Sequence, residues 1–110
     1  MSLQILSWDM PSSGEQLKAY GEKSKTVWIP TVLKQPGVKE FRAYRNPSLT
    51  SPQVTAHIEF DHMESLMQFL ASDDYSMIIA DFGATGVTNV SSEIWDGSPV
   101  VPEPLRPANS

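Results

Sequence analysis

The break at Pro36 and Gly37 constrains the fold of this chain more than any other feature of its sequence. A helical pattern of apolar residues precedes the break, and the alternating pattern of a strand follows it from Val38 to Arg45. A helix does not continue through this pair, because proline lacks a backbone N–H and glycine weakens a helix. The chain therefore has to leave a helix here and begin a strand.

Strand and helix patterns succeed one another in the order strand, helix, strand, strand, helix, strand. The strand patterns cover residues 3–10, 38–45, 53–60 and 87–95. Apolar residues at steps of three and four predict helices between the first and second strands and between the third and fourth. In a chain of 110 residues, this order predicts one α+β domain over residues 1–97, followed by a proline-rich extended tail over residues 98–110.

Capping residues and prolines predict where the helices begin and bend. Ser12 or Ser13 is placed to cap the first helix, and Pro30 is expected to kink that helix at Ile29. The second helical region is predicted to form two short helices or one bent helix. Its first cap is expected to be Asp61, because a glutamate follows three residues later.

Composition excludes several classes of function. With 13 acidic and 8 basic residues, the chain has a formal charge of −5 and lacks the basic surface that nucleic acid or an anionic membrane requires. The absence of cysteine excludes disulfides and thiolate chemistry. No apolar run is long enough to span a bilayer, and no glycine-rich phosphate-binding loop is present. We therefore expect a cytoplasmic protein with no nucleic-acid partner, no membrane partner, no cofactor and no metal site.

The chain resembles the dimeric α/β-barrel superfamily, which includes antibiotic-biosynthesis-type monooxygenases, EthD-like proteins and stress-responsive barrel proteins. The matching features are a helix with Trp28 and Pro30, the sequence Pro36-Gly37-Val38 before strand two, Ile58-Glu59-Phe60-Asp61 at the end of strand three, and Ser72-Asp73-Asp74-Tyr75. The resemblance implies a ferredoxin-like βαββαβ fold with a four-stranded antiparallel sheet. It also implies a homodimer in which two sheets pack face to face, and a pocket between each sheet and its own helices.

His57 is the candidate catalytic residue, because it is the only histidine expected inside a strand and an imidazole can act as a general base or acid. In an oxygenase-like reaction it would take a proton from a phenol or an enol. The candidate substrate-binding residues are Trp8, Trp28, Tyr44, Arg42 and Glu59. Structural roles are open for four of these residues: hydrogen bonding at the dimer face or helix interface for His57, packing for the two tryptophans, and a cross-strand or cross-dimer ion pair for Arg42.

Two functional hypotheses follow from these residues and from the resemblance. The leading one is a small homodimeric protein that holds an apolar or aromatic small molecule between sheet and helices and performs cofactor-independent monooxygenation or proton transfer. The alternative is a non-catalytic binding or assembly module of the same fold. Haem degradation is a third possibility in the superfamily, but a single strand histidine gives little support for an axial ligand.

Overall fold

Four strands form one antiparallel sheet with the order β2-β3-β1-β4. The computed structural model describes residues 1–108. Its strands are β1 (Ser2–Asp9), β2 (Val38–Arg45), β3 (Val54–Phe60) and β4 (Thr88–Asp96). Its helical segments are α1 (Gly14–Lys23), a π-helix (Ser24–Trp28), α2 (Ile29–Leu33), α3 (Met63–Leu70) and α4 (Asp73–Ala84). The strand order and the antiparallel pairing confirm the predicted ferredoxin-like α+β fold.

The helices pack on one face of the sheet, which we call the helix side. Alternate residues of β1 and β3 project there and are buried, while the residues between them are mostly half-buried. The sheet contributes Leu6, Trp8, Ala56, Ile58 and Phe60 to the core, and the helices contribute Trp28, Val32, Leu66, Phe69, Ile78 and Phe82. Burial of each large side chain contributes about 1.5–3 kcal/mol, so this layer provides most of the stabilisation of the fold.

A bulge near the start of β2 changes which of its residues face the helices. Val38 pairs with Phe60, but the next pair joins Glu40 to Glu59, so one residue of β2 is left over. Strict alternation would place Val38 and Phe41 on opposite faces of the sheet. With the bulge, both residues pack against the core.

Pro30 follows a π-helical turn, and the residue before it keeps helical angles. The backbone N–H of Ile29 donates to the carbonyl of Ser24, five residues earlier, and Ile29 keeps helical angles (φ −62°, ψ −48°). The prediction of a kink through non-helical angles at Ile29 is therefore wrong. A π turn takes up one extra residue and shifts the carbonyls relative to the following turn, so the irregularity lies before the proline.

The helix caps agree with the predictions at the first helix and differ by one residue at α3. Ser13 accepts a hydrogen bond from the backbone N–H of Gln16 (3.1 Å) and caps α1, as predicted. At α3 the capping position is His62, not Asp61. Asp61 instead accepts from the N–H of His62 (2.7 Å), because its short side chain bonds to the adjacent backbone group in this turn.

The described part of the tail, residues 98–108, contains no helix or strand and is exposed. A cleft of about 300 Å³ separates Val101, Pro102, Glu103 and Pro104 from Leu3 and Trp95 at one end of the sheet. Asn109 and Ser110, the last residues of the predicted tail, lie outside the described residues. The predicted boundary between domain and tail stays a prediction. Within residues 1–108, no helix is both long enough and apolar enough to cross a membrane.

Replacing Gly37 by alanine is expected to destabilise the protein by about 2 kcal/mol or more. Gly37 has φ +84°, a left-handed conformation that costs other residues about 1–2 kcal/mol. An added Cβ would also lie 2.6 Å from the Cβ of Ser65, too close without a shift of α3. Urea unfolding monitored by tryptophan fluorescence measures the change.

Gly83→Ala is the matched control, since Gly83 is helical and an added Cβ would meet nothing within 4 Å. We expect this variant to be as stable as the wild type, or more stable by up to about 1 kcal/mol. Equal unfolding midpoints for Gly37→Ala and the wild type would contradict the conformational argument.

Candidate functional site

A cavity of about 340 Å³ lies between the sheet and its helices. Seven strand residues line it: Leu6, Trp8, Phe41, Ala43, Val54, Ala56 and Ile58. Nine helical residues complete the wall: Tyr20, Gly21, Ser24, Lys25, Trp28, Ile29, Val32, Ile78 and Phe82. Almost all of these side chains are apolar, so the cavity suits an apolar molecule.

Large aromatic rings and small residues on facing elements explain why the cavity exists. The ring of Phe82 contacts Trp8 and Trp28, with ring centroids 5.0 and 4.7 Å apart. The strands contribute Ala43 and Ala56, and these short side chains do not fill the space that remains. The side chains of the surrounding helices and strands therefore leave an apolar space between them.

The π turn directs Trp28 towards the cavity. Seven residues make about two turns of an α-helix, so a residue seven positions after Tyr20 would share its face. Trp28 is eight positions after Tyr20, and the π-helix takes up the extra residue. The two rings meet edge to face with centroids 5.8 Å apart. The helical irregularity therefore places both aromatic residues on one wall.

Each cavity tryptophan has a hydrogen-bond acceptor for its indole N–H. The Nε1 of Trp8 donates to the hydroxyl oxygen of Tyr20 (2.9 Å). The Nε1 of Trp28 donates to Oδ2 of Asp81 (3.2 Å), which also lies 3.4 Å from Nζ of Lys23. Buried indole N–H groups without a partner are costly, so these bonds fix the orientation of the two rings.

Tyr20 is the cavity residue whose acid–base behaviour the site changes. Burial raises the pKa of its phenol, and this effect exceeds the opposing effects of the Trp8 hydrogen bond and the positive charge of Arg45. Tyr20 therefore stays a neutral hydroxyl at pH 7. The cavity lining includes no histidine, aspartate or glutamate, so it offers no side chain that ordinarily titrates near neutral pH.

Two exposed residues mark the opening of the cavity. Ala43 on β2 and Lys25 in the π-helix are exposed, whereas the other lining residues are buried or half-buried. The edge strand β2 thus forms one side of the opening, and the helix forms the other. A molecule in the cavity would reach solvent between them.

A second group of predicted site residues lies on the opposite face of the sheet, which we call the outer face. His57 pairs with Arg42 on β2 and with Ile5 on β1, and all three project away from the helices. Together with Leu3, Glu40 and Glu59, His57 and Arg42 line a polar cleft of about 140 Å³. This cleft is separate from the apolar cavity.

Side chains on the outer face contact one another through an ion pair and an aromatic ring contact. Arg42 forms an ion pair with Glu40, and this hydrogen bond is the main reason that the pKa of Arg42 is raised. The ring of Tyr44 meets the ring of His57 edge to face, with centroids 5.1 Å apart. Within residues 1–108, no three histidine, aspartate or glutamate side chains are grouped in a way that could hold a metal ion.

The six predicted site residues therefore do not form one site within a single chain. Trp8 and Trp28 line the cavity, whereas the outer face carries His57, Arg42, Tyr44 and Glu59. His57 does not reach the cavity of its own chain, and its catalytic role stays a prediction. Sequence reasoning did not identify Tyr20 as a site residue. A hydroxyl-bearing residue on the apolar stripe of the first helix was the signal that could have revealed it.

Solved structures share this fold over nearly the whole chain. A proposed antibiotic biosynthesis monooxygenase from Deinococcus radiodurans has a TM-score of 0.73 at 13% identity, covering 96% of this chain and 97% of that one. A mutant form of SnoaB, a cofactor-independent oxygenase from Streptomyces nogalater, has a TM-score of 0.66 at 12% identity, covering 93% and 97%. An EthD family protein from Bacillus halodurans has a TM-score of 0.62 at 18% identity, covering 89% and 100%.

These likenesses establish the class of fold. The chain has the ferredoxin-like architecture of the antibiotic-biosynthesis-monooxygenase-like and EthD-like proteins, which confirms the resemblance inferred from the sequence. No protein-family model matches the chain, and no curated protein matches it in sequence. At identities of 12–18%, similarity of structure supports the fold and does not transfer an activity.

Replacing Asp81 by alanine is expected to destabilise the protein by about 1–3 kcal/mol. The substitution removes the acceptor of the Trp28 indole N–H, and Trp28 is only 4% exposed. Asp81→Asn keeps an acceptor and should recover most of the loss. Chemical denaturation monitored by circular dichroism measures all variants.

Lys23→Ala separates the ion pair from the indole hydrogen bond. The side chain of Lys23 is 45% exposed, so its pair with Asp81 is screened by water and should contribute less than about 1 kcal/mol. Equal losses for Lys23→Ala and Asp81→Ala would show that the indole bond contributes nothing measurable.

Proposed function

We propose that this protein binds an apolar or aromatic small molecule in the cavity between its sheet and its helices. The observation that carries this proposal is the cavity itself, whose volume of about 340 Å³ falls within the usual range for ligand pockets. Trp8 and Trp28 offer flat apolar surfaces on which an aromatic ring can pack. The exposed Ala43 and Lys25 leave a route from solvent.

Cofactor-independent monooxygenation is the reaction class that we propose for a bound aromatic substrate. Support comes from the shared fold with SnoaB, which is described as a cofactor-independent oxygenase. An apolar cavity also shields a reactive substrate from water. In this proposal Trp8 and Trp28 position the substrate, and a proton leaves it by a route other than His57 of the same chain.

Non-catalytic binding is the second candidate function, and one observation favours it. The cavity lining contains no histidine or carboxylate, so a general base that works near neutral pH is missing from its walls. A binding module needs only the shape and the apolar surface. Oxygen consumption in the presence of a bound ligand and no added cofactor distinguishes the two candidates.

We propose further that the outer face of the sheet packs against the outer face of a second copy. The core side chains of the sheet project to the helix side, so helices α1–α4 do not cover this face. Trp95 and Tyr44 are 53% and 48% exposed there, and Ile5 lies near the centre. In this arrangement His57 contacts the partner's sheet, so its role would be structural, at the dimer face.

Aromatic ligands are expected to raise the melting temperature of the protein. A ligand at 100 times its dissociation constant adds about 2.7 kcal/mol, which corresponds to roughly 10 °C for a domain of this size. Thermal scans with quinols, polyphenols, aromatic acids and haem identify the class that binds. A panel in which no compound raises the melting temperature at millimolar concentration would contradict the binding proposal.

Two alanine positions test whether the ligand occupies the cavity. Ala43→Phe places a ring across the opening and should abolish the thermal shift. Ala19→Phe makes the same change at an exposed position of α1 that does not line the cavity, and should leave the shift intact. An unchanged shift in Ala43→Phe would place the ligand elsewhere.

Replacing Ile5 by glutamate is expected to convert the proposed dimer to a monomer, because it buries a charge at the centre of the interface. Ile94→Glu makes the same change on the neighbouring strand, but on the helix side, since Ile94 pairs with Gln4. It should leave the dimer intact. Sedimentation velocity distinguishes 12.2 kDa from twice that mass. A wild-type protein that sediments as a monomer would end the dimer proposal and leave the binding proposal untouched.

A further inference from the structure

The hydroxyl of Tyr20 is a polar group in an otherwise largely apolar wall. Tyr20 lines the cavity from α1, and its oxygen accepts the indole N–H of Trp8 at 2.9 Å. Its ring is also held edge to face by Trp28. These two contacts fix the position of the hydroxyl oxygen before any ligand binds.

The proton of this hydroxyl has no acceptor in the part of the chain that the structure describes. A phenol can accept hydrogen bonds and donate one, and the bond from Trp8 uses only its capacity to accept. Burial raises the pKa of Tyr20, so the donor is retained at pH 7. Donation from Trp8 also polarises the phenol and strengthens its O–H as a donor.

We propose that Tyr20 donates this proton to an acceptor oxygen of the bound molecule, so that the cavity selects apolar rings bearing a carbonyl over hydrocarbons of the same shape. This inference rests on the proposed binding function and specifies the chemistry that the cavity recognises. Tyr20 is a specificity-determining residue in this role. A partly buried donor prefers such a ligand because a hydrocarbon would leave its proton unpaired.

A purely structural role for Tyr20 makes a different prediction. If the hydroxyl serves only to accept the Trp8 N–H, its removal lowers stability and changes the affinity of all apolar ligands alike. If it also donates to the ligand, its removal weakens the binding of carbonyl-bearing ligands more than that of hydrocarbons. The change in the ratio of the two affinities between wild type and variant therefore separates the two roles, because the difference in hydration between the two compounds is the same for both proteins and cancels.

The experiment compares 1-tetralone with tetralin, which has the same fused rings but no carbonyl oxygen. Isothermal titration calorimetry gives both dissociation constants for the wild type, Tyr20→Phe and Tyr75→Phe. Tyr75→Phe is the matched control, because the Tyr75 hydroxyl also accepts a hydrogen bond from a neighbour, Nε2 of Gln4 (3.3 Å), but does not line the cavity.

We expect the preference for 1-tetralone over tetralin to fall about fivefold to tenfold in Tyr20→Phe, as for the loss of one neutral hydrogen bond. It should be unchanged in Tyr75→Phe. If both compounds bind and the ratio in Tyr20→Phe equals that of the wild type, the role of Tyr20 is wrong while the binding function stands. If neither compound binds the wild type, both proposals fail for ligands of this size.

Infrared spectroscopy of the wild type tests the same bond without a variant, in case Tyr20→Phe does not fold. A hydrogen bond from Tyr20 lowers the carbonyl stretching frequency of bound 1-tetralone relative to the compound in hexane. An unshifted band would overturn the proposal.

Discussion

The alternation of side chains across the sheet decides where every candidate residue of this protein lies. Neighbouring residues of a strand point to opposite faces, and β1 pairs in register with both β3 and β4. Trp8 therefore projects into the helix layer, while His57 projects away from it. The separation of an apolar cavity from a charged outer face follows directly from this pairing.

The cavity depends in turn on a local departure from regular structure. Because the π-helix takes up one residue, Trp28 comes to lie in line with Tyr20, and their rings form one wall with Phe82. The opposing strands carry alanines, so the space between the layers is not filled. The same packing that stabilises the domain thus leaves a cavity between the sheet and the helices. The hydrogen bonds of the two indoles fix the orientation of the rings that line it.

Much of the architecture could be predicted because it rests on local signals. The alternation in residues 53–60, the break at Pro36 and Gly37 and the cap at Ser13 can each be read from residues close together in the chain. The site could be predicted only in part. Trp8 and Trp28 were identified from their chemistry, but the bulge in β2 and the π turn before Pro30 change which residues share a face, and the residue pattern did not reveal them.

The sequence by itself determined the order of strands and helices and an aromatic core, since periodicity and backbone preference act over a few residues. Tertiary structure alone decided that His57, Arg42, Tyr44 and Glu59 share a face without Trp8 and Trp28. It also brought the Tyr20 hydroxyl to the indole of Trp8 at the wall of the cavity. Which faces meet depends on strand register and helix packing, and these are set by the fit of the whole core.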